Sequence, residues 1–275
     1  MEALRREYAL GVNAFLRWTG IAKSSYYRRK DRHQRSRWIQ VQIAKRVKTL
    51  CVKHVSLGYR PIAALLNSRR HQASESSVFR VMQHLGLLQK QRPRRERTRR
   101  PAPKLEPKKI GLTIGLDFIH WHGYPICNVI EFQSRYCLAS VAFKHETAEN
   151  AQAAICAALK EAKRLRLPTT GIDVKSDKGS PFIADDFRDL LVAHQCQQTL
   201  TGICITGGTA RVERFNRTTK EQGLAREDVE DLDEIQQALN RHRRYYNTQR
   251  PHQALGWITP RQFITQNCQK SVPVL

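Results

Sequence analysis

Three carboxylates stand where side chains can do chemistry: Asp117, Asp177 and Glu213. Asp117 interrupts an otherwise apolar run, GLTIGLDFI (111–119), and a charge there is costly unless it is paired or bound to a metal. Asp177 closes TGIDVKSD (170–177) and is followed by Lys178, Gly179 and Ser180, a turn that holds its side chain at a sheet edge. Glu213 follows the pair Gly207–Gly208 and lies in TARVERFNRTTKEQG (209–223), among Arg211, Arg214, Arg217 and Lys220. In so basic a run it is either a solvated ion-pair partner or a ligand for a cation held beside a polyanion. Exactly which acids meet is a matter of spacing: 35 residues lie between Asp177 and Glu213. Oxygen donors from two strands and a helix suit hard divalent cations. Two such ions about 3.5–4 Å apart clamp the attacking and leaving oxygens of an in-line phosphoryl displacement.

The elements that must position these acids are legible from periodicity. GLTIGLDFI, YPICNVIEF (124–132) and YCLASVAF (136–143) read as three consecutive strands broken at Gly, Pro, Ser and Arg. A long Ala-rich helix follows at 146–167, then a strand at 170–177, a helix at 182–194, a short strand at 196–202 and a helix from Gly207–Gly208 onward. Three strands followed by alternating helix and strand predict a mixed α/β sheet flanked by helices. An amphipathic helix and a proline-broken turn occupy 231–256. Asp173, four residues before Asp177, is about 13 Å from it along an extended strand and does not share its site. Asp185, Asp186 and Asp189 fit a helix N-terminal half and its exposed face. His120 and His122 read as hairpin-surface residues, and the segment around Tyr246, Asn247, Arg250, Pro251 and His252 as a terminus packed on the core.

The front of the chain differs in kind. Residues 1–110 hold 28 Lys and Arg against 6 Asp and Glu, while residues 111–275 hold 20 against 18, so the net charge of +24 belongs almost wholly to the front. Such asymmetry implies a polyanion-binding end joined to a near-neutral module, and nucleic acid is the polyanion it suits. LGVNAFLRWTGIAKSSYYRRK (10–30) reads as two short helices around Gly20, with Ser24 or Ser25 capping the second and Tyr26, Tyr27, Arg28, Arg29 and Lys30 on its exposed side. Three more helices are predicted at 37–54, 58–67 and 74–86, the last opening on serines and exposing Arg80. Residues 89–110 contain ten Lys and Arg and four Pro, among them Arg94, Arg95, Arg99 and Arg100, and form a basic linker without a core.

No apolar run approaches the roughly 18 residues that span a bilayer, and the expectation is a cytoplasmic, nucleoid-associated protein without a membrane partner. The seven cysteines form no CxxC pair and match no zinc spacing, which predicts free and mostly buried thiols.

The acids at these spacings, with LDFIH, SDKGSPF, ARVERFNRTTKEQGL and YYNTQRPHQALGWITP, resemble bacterial insertion-sequence transposases with a retroviral-integrase-like core. The likeness runs over roughly residues 10–265. It implies a ribonuclease H-like core in which Asp117, Asp177 and Glu213 bind two Mg²⁺, with Mn²⁺ as a substitute. It implies the enzyme activity as well: a DNA transposase that cleaves at terminal inverted repeats and joins the 3′-hydroxyl to target DNA. DNA ends and target DNA are then the partners, bound by a homo-oligomer, with an upstream reading frame supplying a partner or fused segment. Lys220 follows Glu213 by seven residues, some 20° short of two turns of a regular helix and about 10 Å along it. The resemblance gives Lys220 a contact with terminal DNA, and Asn216 and Arg217 flank the acid on that face. Three positions depart from the family pattern: Lys178 stands for Asn, Pro181 for an acid and Glu131 for Asp. Lys178 places a cation beside a metal ligand, where it contacts phosphate or weakens metal binding. The alternatives are therefore a catalytically impaired, transposase-derived DNA-binding regulator and, in another class, a ribonuclease H-type nuclease. The predicted division is a helix-turn-helix unit at 1–35, a second at 36–88, the linker at 89–110, the catalytic core at 111–230 and a C-terminal helix and tail at 231–275.

Overall fold

The computed structural model describes residues 2–68, 73–89, 109–201 and 210–268. The chain divides into two compact units, Met1–Gln91 and Arg92–Leu275.

The first unit is helical. Helix α1 (Glu2–Glu7) precedes α2 (Val12–Thr19), which stops at Gly20, where φ is +68°. This left-handed conformation suits glycine and closes the helix. Phe15 and Leu16 of α2 pack with Tyr26 of α3 (Lys23–Lys53) in a small core edged by Leu10, Val12 and Ile21. Two expectations fail here. Tyr26 is buried, not exposed, and the N-cap of α3 is Ala22, so neither Ser24 nor Ser25 starts it. The predicted boundary at 35/36 also falls inside α3, which runs for 31 residues without a break. DRHQRSR (31–37) contains no Gly or Pro, so nothing local stops the helix there. A second core joins the end of α3 to α4 (Tyr59–Asn67) and α5 (Glu75–His84) through Val47, Leu50, Ile62, Leu66, Val78 and Met82. Ser74 caps α5 by accepting from Ser77 N at 3.2 Å.

The second unit is a five-stranded sheet in the order β3-β2-β1-β4-β5. Its strands are β1 (Thr113–Trp121), β2 (Tyr124–Glu131), β3 (Cys137–Ala142), β4 (Asp173–Ser176) and β5 (Gln197–Leu200). The first three are antiparallel neighbours, whereas β4 runs parallel to both β1 and β5. His122 and Gly123, both at positive φ, make the two-residue turn between β1 and β2, as the right-handed twist of a hairpin favours. This is the mixed sheet flanked by helices that the strand and helix pattern predicts.

Alternation decides what each face carries. Ile114 and Leu116 of β1 and Cys127 and Val129 of β2 face α6 (Ala148–Arg164), which presents Ala151, Ala154, Ile155, Ala158 and Leu159. Gly115, Asp117 and Ile119 point to the other face, opposite Ile130, Asn128 and Ile126 of β2. Helices α9 (Ala210–Thr218) and α10 (Leu232–Thr248) cover that face. On the α6 side, α7 (Ser180–Ile183) and α8 (Asp185–Ala193) replace the single predicted helix at 182–194, interrupted by the extended residue Ala184. Helix α11 (Pro260–Cys268) was not predicted. Its start is a reciprocal cap in which Thr259 Oγ1 accepts from Gln262 N and Gln262 Oε1 from Thr259 N. The described cysteines are unpaired; Cys51, Cys127, Cys137 and Cys196 are buried and Cys156 is exposed. No helix among the described residues is long and apolar enough to cross a membrane.

Candidate active site

Asp117 and Asp177 arrive on neighbouring parallel strands. The β1–β4 register pairs Thr113 with Asp173 and Gly115 with Lys175, so each acid lies two residues beyond the last pair. Asp177 has left the ladder. Its Oδ1 accepts the backbone N–H of Gly179 at 2.9 Å, a local turn that fixes an exposed carboxylate at the end of β4. Glu213 is exposed in the first turn of α9. The preceding Gly207–Gly208 pair lies outside the described residues.

What seats α9 is the absence of a side chain. A Cβ on Gly115 would come within 2.3 Å of Phe132 Cε1 and 2.6 Å of Val212 Cγ2. Glycine in β1 therefore lets α9 settle on the sheet, with Val212 and Phe215 turned inward.

The electrostatics tie the three acids together. Burial, then the charges of Asp177 and Glu213, push Asp117 up to about 7, against the pull of hydrogen bonds from the Phe118 backbone and Asn216. Asn216 Nδ2 donates to Asp117 Oδ2 at 2.8 Å. Among the described residues no three His, Cys, Asp or Glu side chains converge into a closed ligand set. Asp177 and Glu213 thus act on Asp117 through charge, at longer range than shared ligation. The chemistry of the set still fits a hard divalent cation: all donors are carboxylate oxygens, and their mutual repulsion is what such an ion relieves.

The remaining predicted positions scatter. Asn216, expected at a DNA surface, is 5% exposed and spends its amide inside, on Asp117 and Asn128. Arg217 is exposed at the end of α9. Lys220 falls in a π-helical turn, Thr219–Gly223, so its phase relative to Glu213 differs from that of the regular helix assumed above. Lys178 is exposed beside Asp177. In the first unit Tyr27, Arg28 and Arg80 are exposed. The side chains of Arg29 and Lys30, and the linker residues Arg94, Arg95, Arg99 and Arg100, lie outside the described residues. Asp173 is occupied by Lys175 at 2.9 Å and by the Thr199 hydroxyl at 2.6 Å. His120 pairs with Glu146 at 3.2 Å on the surface.

Sequence reasoning missed the supports. Glu131 is fully buried and accepts from the backbones of Gly111, Gln133 and Ser134 and from the Ser134 hydroxyl, which makes it a staple of the β2–β3 turn. Asn247 bonds both the N–H and the carbonyl of Cys137 at 2.9 Å, fastening α10 to β3. Tyr246 stacks edge-on against Phe215 of α9, ring centroids 4.7 Å apart. The tail motif that carried no evident chemistry therefore braces the helix bearing Glu213. A polar residue inside the apolar run YPICNVIEF, Asn128, was the available signal for the network beneath the site.

The family model of the integrase core domain matches residues 209–260. No curated protein matches the chain. Among solved structures, the catalytic core domain of BIV integrase is 20% identical, aligned over 58% of this chain and 97% of its own, with a TM-score of 0.46. The intasome of simian T-cell lymphotropic virus, in complex with the PP2A regulatory subunit B56 gamma, is 15% identical over 83% of this chain and 75% of its own, with a TM-score of 0.49. The segment matched by the family model begins four residues before Glu213, ends beyond the tail motif and packs on the mixed sheet described above; over that segment the second unit is similar to the integrase core domain.

Proposed function

We propose that this protein is a DNA transposase that binds the terminal inverted repeats of a mobile element, cleaves at its ends and joins the freed 3′-hydroxyl to target DNA. The observation that carries this reading is the acidic site: Asp117 on the central strand β1, Asp177 just past the end of β4 and Glu213 in the first turn of α9, with Asp117 driven up to about 7 by burial and by the other two acids. Asp117, Asp177 and Glu213 would hold two Mg²⁺, for which Mn²⁺ substitutes. Bound there, the ions supply Lewis acidity toward the scissile phosphate and an activated attacking oxygen. Closing the set turns the exposed side chains of Asp177 and Glu213 toward the half-buried Asp117. Asn216 keeps Oδ2 of Asp117 engaged and so fixes the orientation of the carboxylate. Arg217, Lys220 and Lys178 then hold the phosphates of the DNA end by charge-assisted contacts. Tyr27, Arg28, Arg29, Lys30 and Arg80 of the front unit, and Arg94, Arg95, Arg99 and Arg100 of the linker, bind the repeat and supply salt-dependent affinity.

Glu213→Gln tests this reading. The expected result is loss of cleavage and joining with binding to end-containing duplex retained; full activity in that variant sinks the assignment. Lys220→Ala is expected to weaken engagement of the terminal base pairs and to leave metal binding intact. A second reading, a DNA-binding regulator without catalysis, is favoured by one observation only, the exposed Lys178 beside Asp177. Restoring asparagine separates the two: a Lys178→Asn protein that nicks where the parent does not marks the parent as the regulator.

A further inference from the structure

On β1, β2 and β3, the face beneath α9 carries a polar row between an apolar row at Gly115, Ile130 and Cys137 and another at Ile119, Ile126 and Ala142. Asp117 of β1 is the cross-strand partner of Asn128 in β2, and Asn128 is the partner of Ser140 in β3. The row is also a chain of hydrogen bonds. Ser140 Oγ donates to Asn128 Oδ1 at 2.6 Å, Asn128 Nδ2 donates to Asn216 Oδ1 at 2.8 Å, and Asn216 Nδ2 donates to Asp117 Oδ2 at 2.8 Å. Ser140, Asn128 and Asn216 are 4%, 0% and 5% exposed, so water does not compete for these groups.

The direction of the chain has a physical reason. An ionised carboxylate only accepts, so Asn216 must offer it the nitrogen end of its amide. Its oxygen end then needs a donor, which is the amide nitrogen of Asn128. That leaves the Asn128 oxygen in need of a donor, and the Ser140 hydroxyl is the one in reach. Reversing any single link sets two acceptors face to face in a dry interior, where an unmet polar group costs about 1–3 kcal/mol. Three buried polar residues on three elements thus share one self-consistent arrangement, and its output is one carboxylate oxygen held in place.

We propose that Asn128 and Ser140 are positioning residues of the acidic site: they lock the amide of Asn216 with its N–H toward Asp117 and so fix the orientation in which Asp117 meets a divalent cation. This rests on the reading of Asp117 as a metal ligand. Partners behind a ligand orient it, and their loss weakens metal affinity about 10–100-fold in characterised sites. Ser140 acts from two strands away, about 10 Å at the usual spacing, without touching metal or DNA.

The test is a Mn²⁺ titration of the full chain followed by electron paramagnetic resonance, which reads bound metal directly, with thermal melts alongside. Ser140→Ala and Asn128→Leu are expected to weaken Mn²⁺ binding about tenfold or more, and Ser140→Thr, which keeps the hydroxyl, to restore it. Asp117→Asn serves as the reference and is expected to abolish that binding. If Ser140→Ala and Asn128→Leu fold and bind Mn²⁺ as the parent does while Asp117→Asn does not, the positioning role is overturned and the metal site stands. If Asp117→Asn binds like the parent, the metal reading falls and this inference with it. Should Asn128→Leu fail to fold, the Ser140 pair carries the test alone, and equal behaviour of Ala and Thr at 140 contradicts the proposal.

Discussion

Asp117 is held in the folded state under conditions that oppose its own charge. Its folded value of about 7 lies above the ordinary aspartate value, so the native state keeps a proton that the unfolded chain has lost. The sign follows by linkage: from about pH 4 to pH 7 the metal-free protein loses stability from this group as pH rises, and the loss is complete above its folded value. Asp117→Asn removes that penalty. In metal-free buffer at pH 8 the variant is expected to melt above the parent, with the gain vanishing near pH 4; differential scanning fluorimetry at the two pH values checks it. Mg²⁺ is expected to raise the melting temperature of the parent at pH 8 and leave the variant unmoved, since only a native state with its ligands gains from the ion. At this scale the sequence was readable where an acid broke an apolar run. It was silent on Asn216, because the same helical offset that suggested a DNA-facing residue also fits one turned inward, and only packing separates the two.

The element that decides the geometry is α9, clamped between β1 and the tail. Gly115 beneath it and Tyr246 and Asn247 beside it are as much a part of the site as the acids. Gly115→Ala is expected to cost about 1–3 kcal/mol, the range for overpacking a closed core, because the new carbon meets Phe132 and Val212 within 3 Å. Chemical denaturation measures the cost, and catalysis is expected to fall further than stability since the helix carrying Glu213 must shift. Asn247→Ala leaves the backbone N–H and C=O of Cys137 without partners and is expected to cost about 1–3 kcal/mol by the same measurement. Strands and long helices were legible because alternation and 3.6-residue periodicity are local. The π turn at Thr219–Gly223 was not, because regular extrapolation from Glu213 to Lys220 assumes a helix whose hydrogen bonds never slip. Likewise the continuity of α3 overrides a boundary drawn from a change in pattern, and the Thr259–Gln262 cap of α11 was written in the sequence as TPRQ but passed over.

Across the whole molecule, charge is divided: the front carries nearly all of the +24, and residues 111–275 are close to neutral. Binding of the full chain to duplex DNA is therefore expected to weaken about 10³–10⁵-fold between 50 and 200 mM salt; an affinity independent of salt contradicts a phosphate-bound front unit. This asymmetry was plain in composition, whereas the bracing of the core by its tail depends on contacts between residues over a hundred positions apart, such as Asn247 with Cys137, and no local pattern announces those. The central claim is that Asp117, Asp177 and Glu213 together form a metal-dependent site that cuts and joins DNA. The most direct measurement is cleavage of a duplex taken from the DNA flanking the coding sequence, titrated with Mg²⁺, for the parent and for Asp117→Asn, Asp177→Asn and Glu213→Gln. The expected result is a cut at one discrete position by the parent, abolished by EDTA and absent from all three variants although each still binds the duplex. Cutting by any of the three at the parent's rate, or by the parent in EDTA, contradicts it.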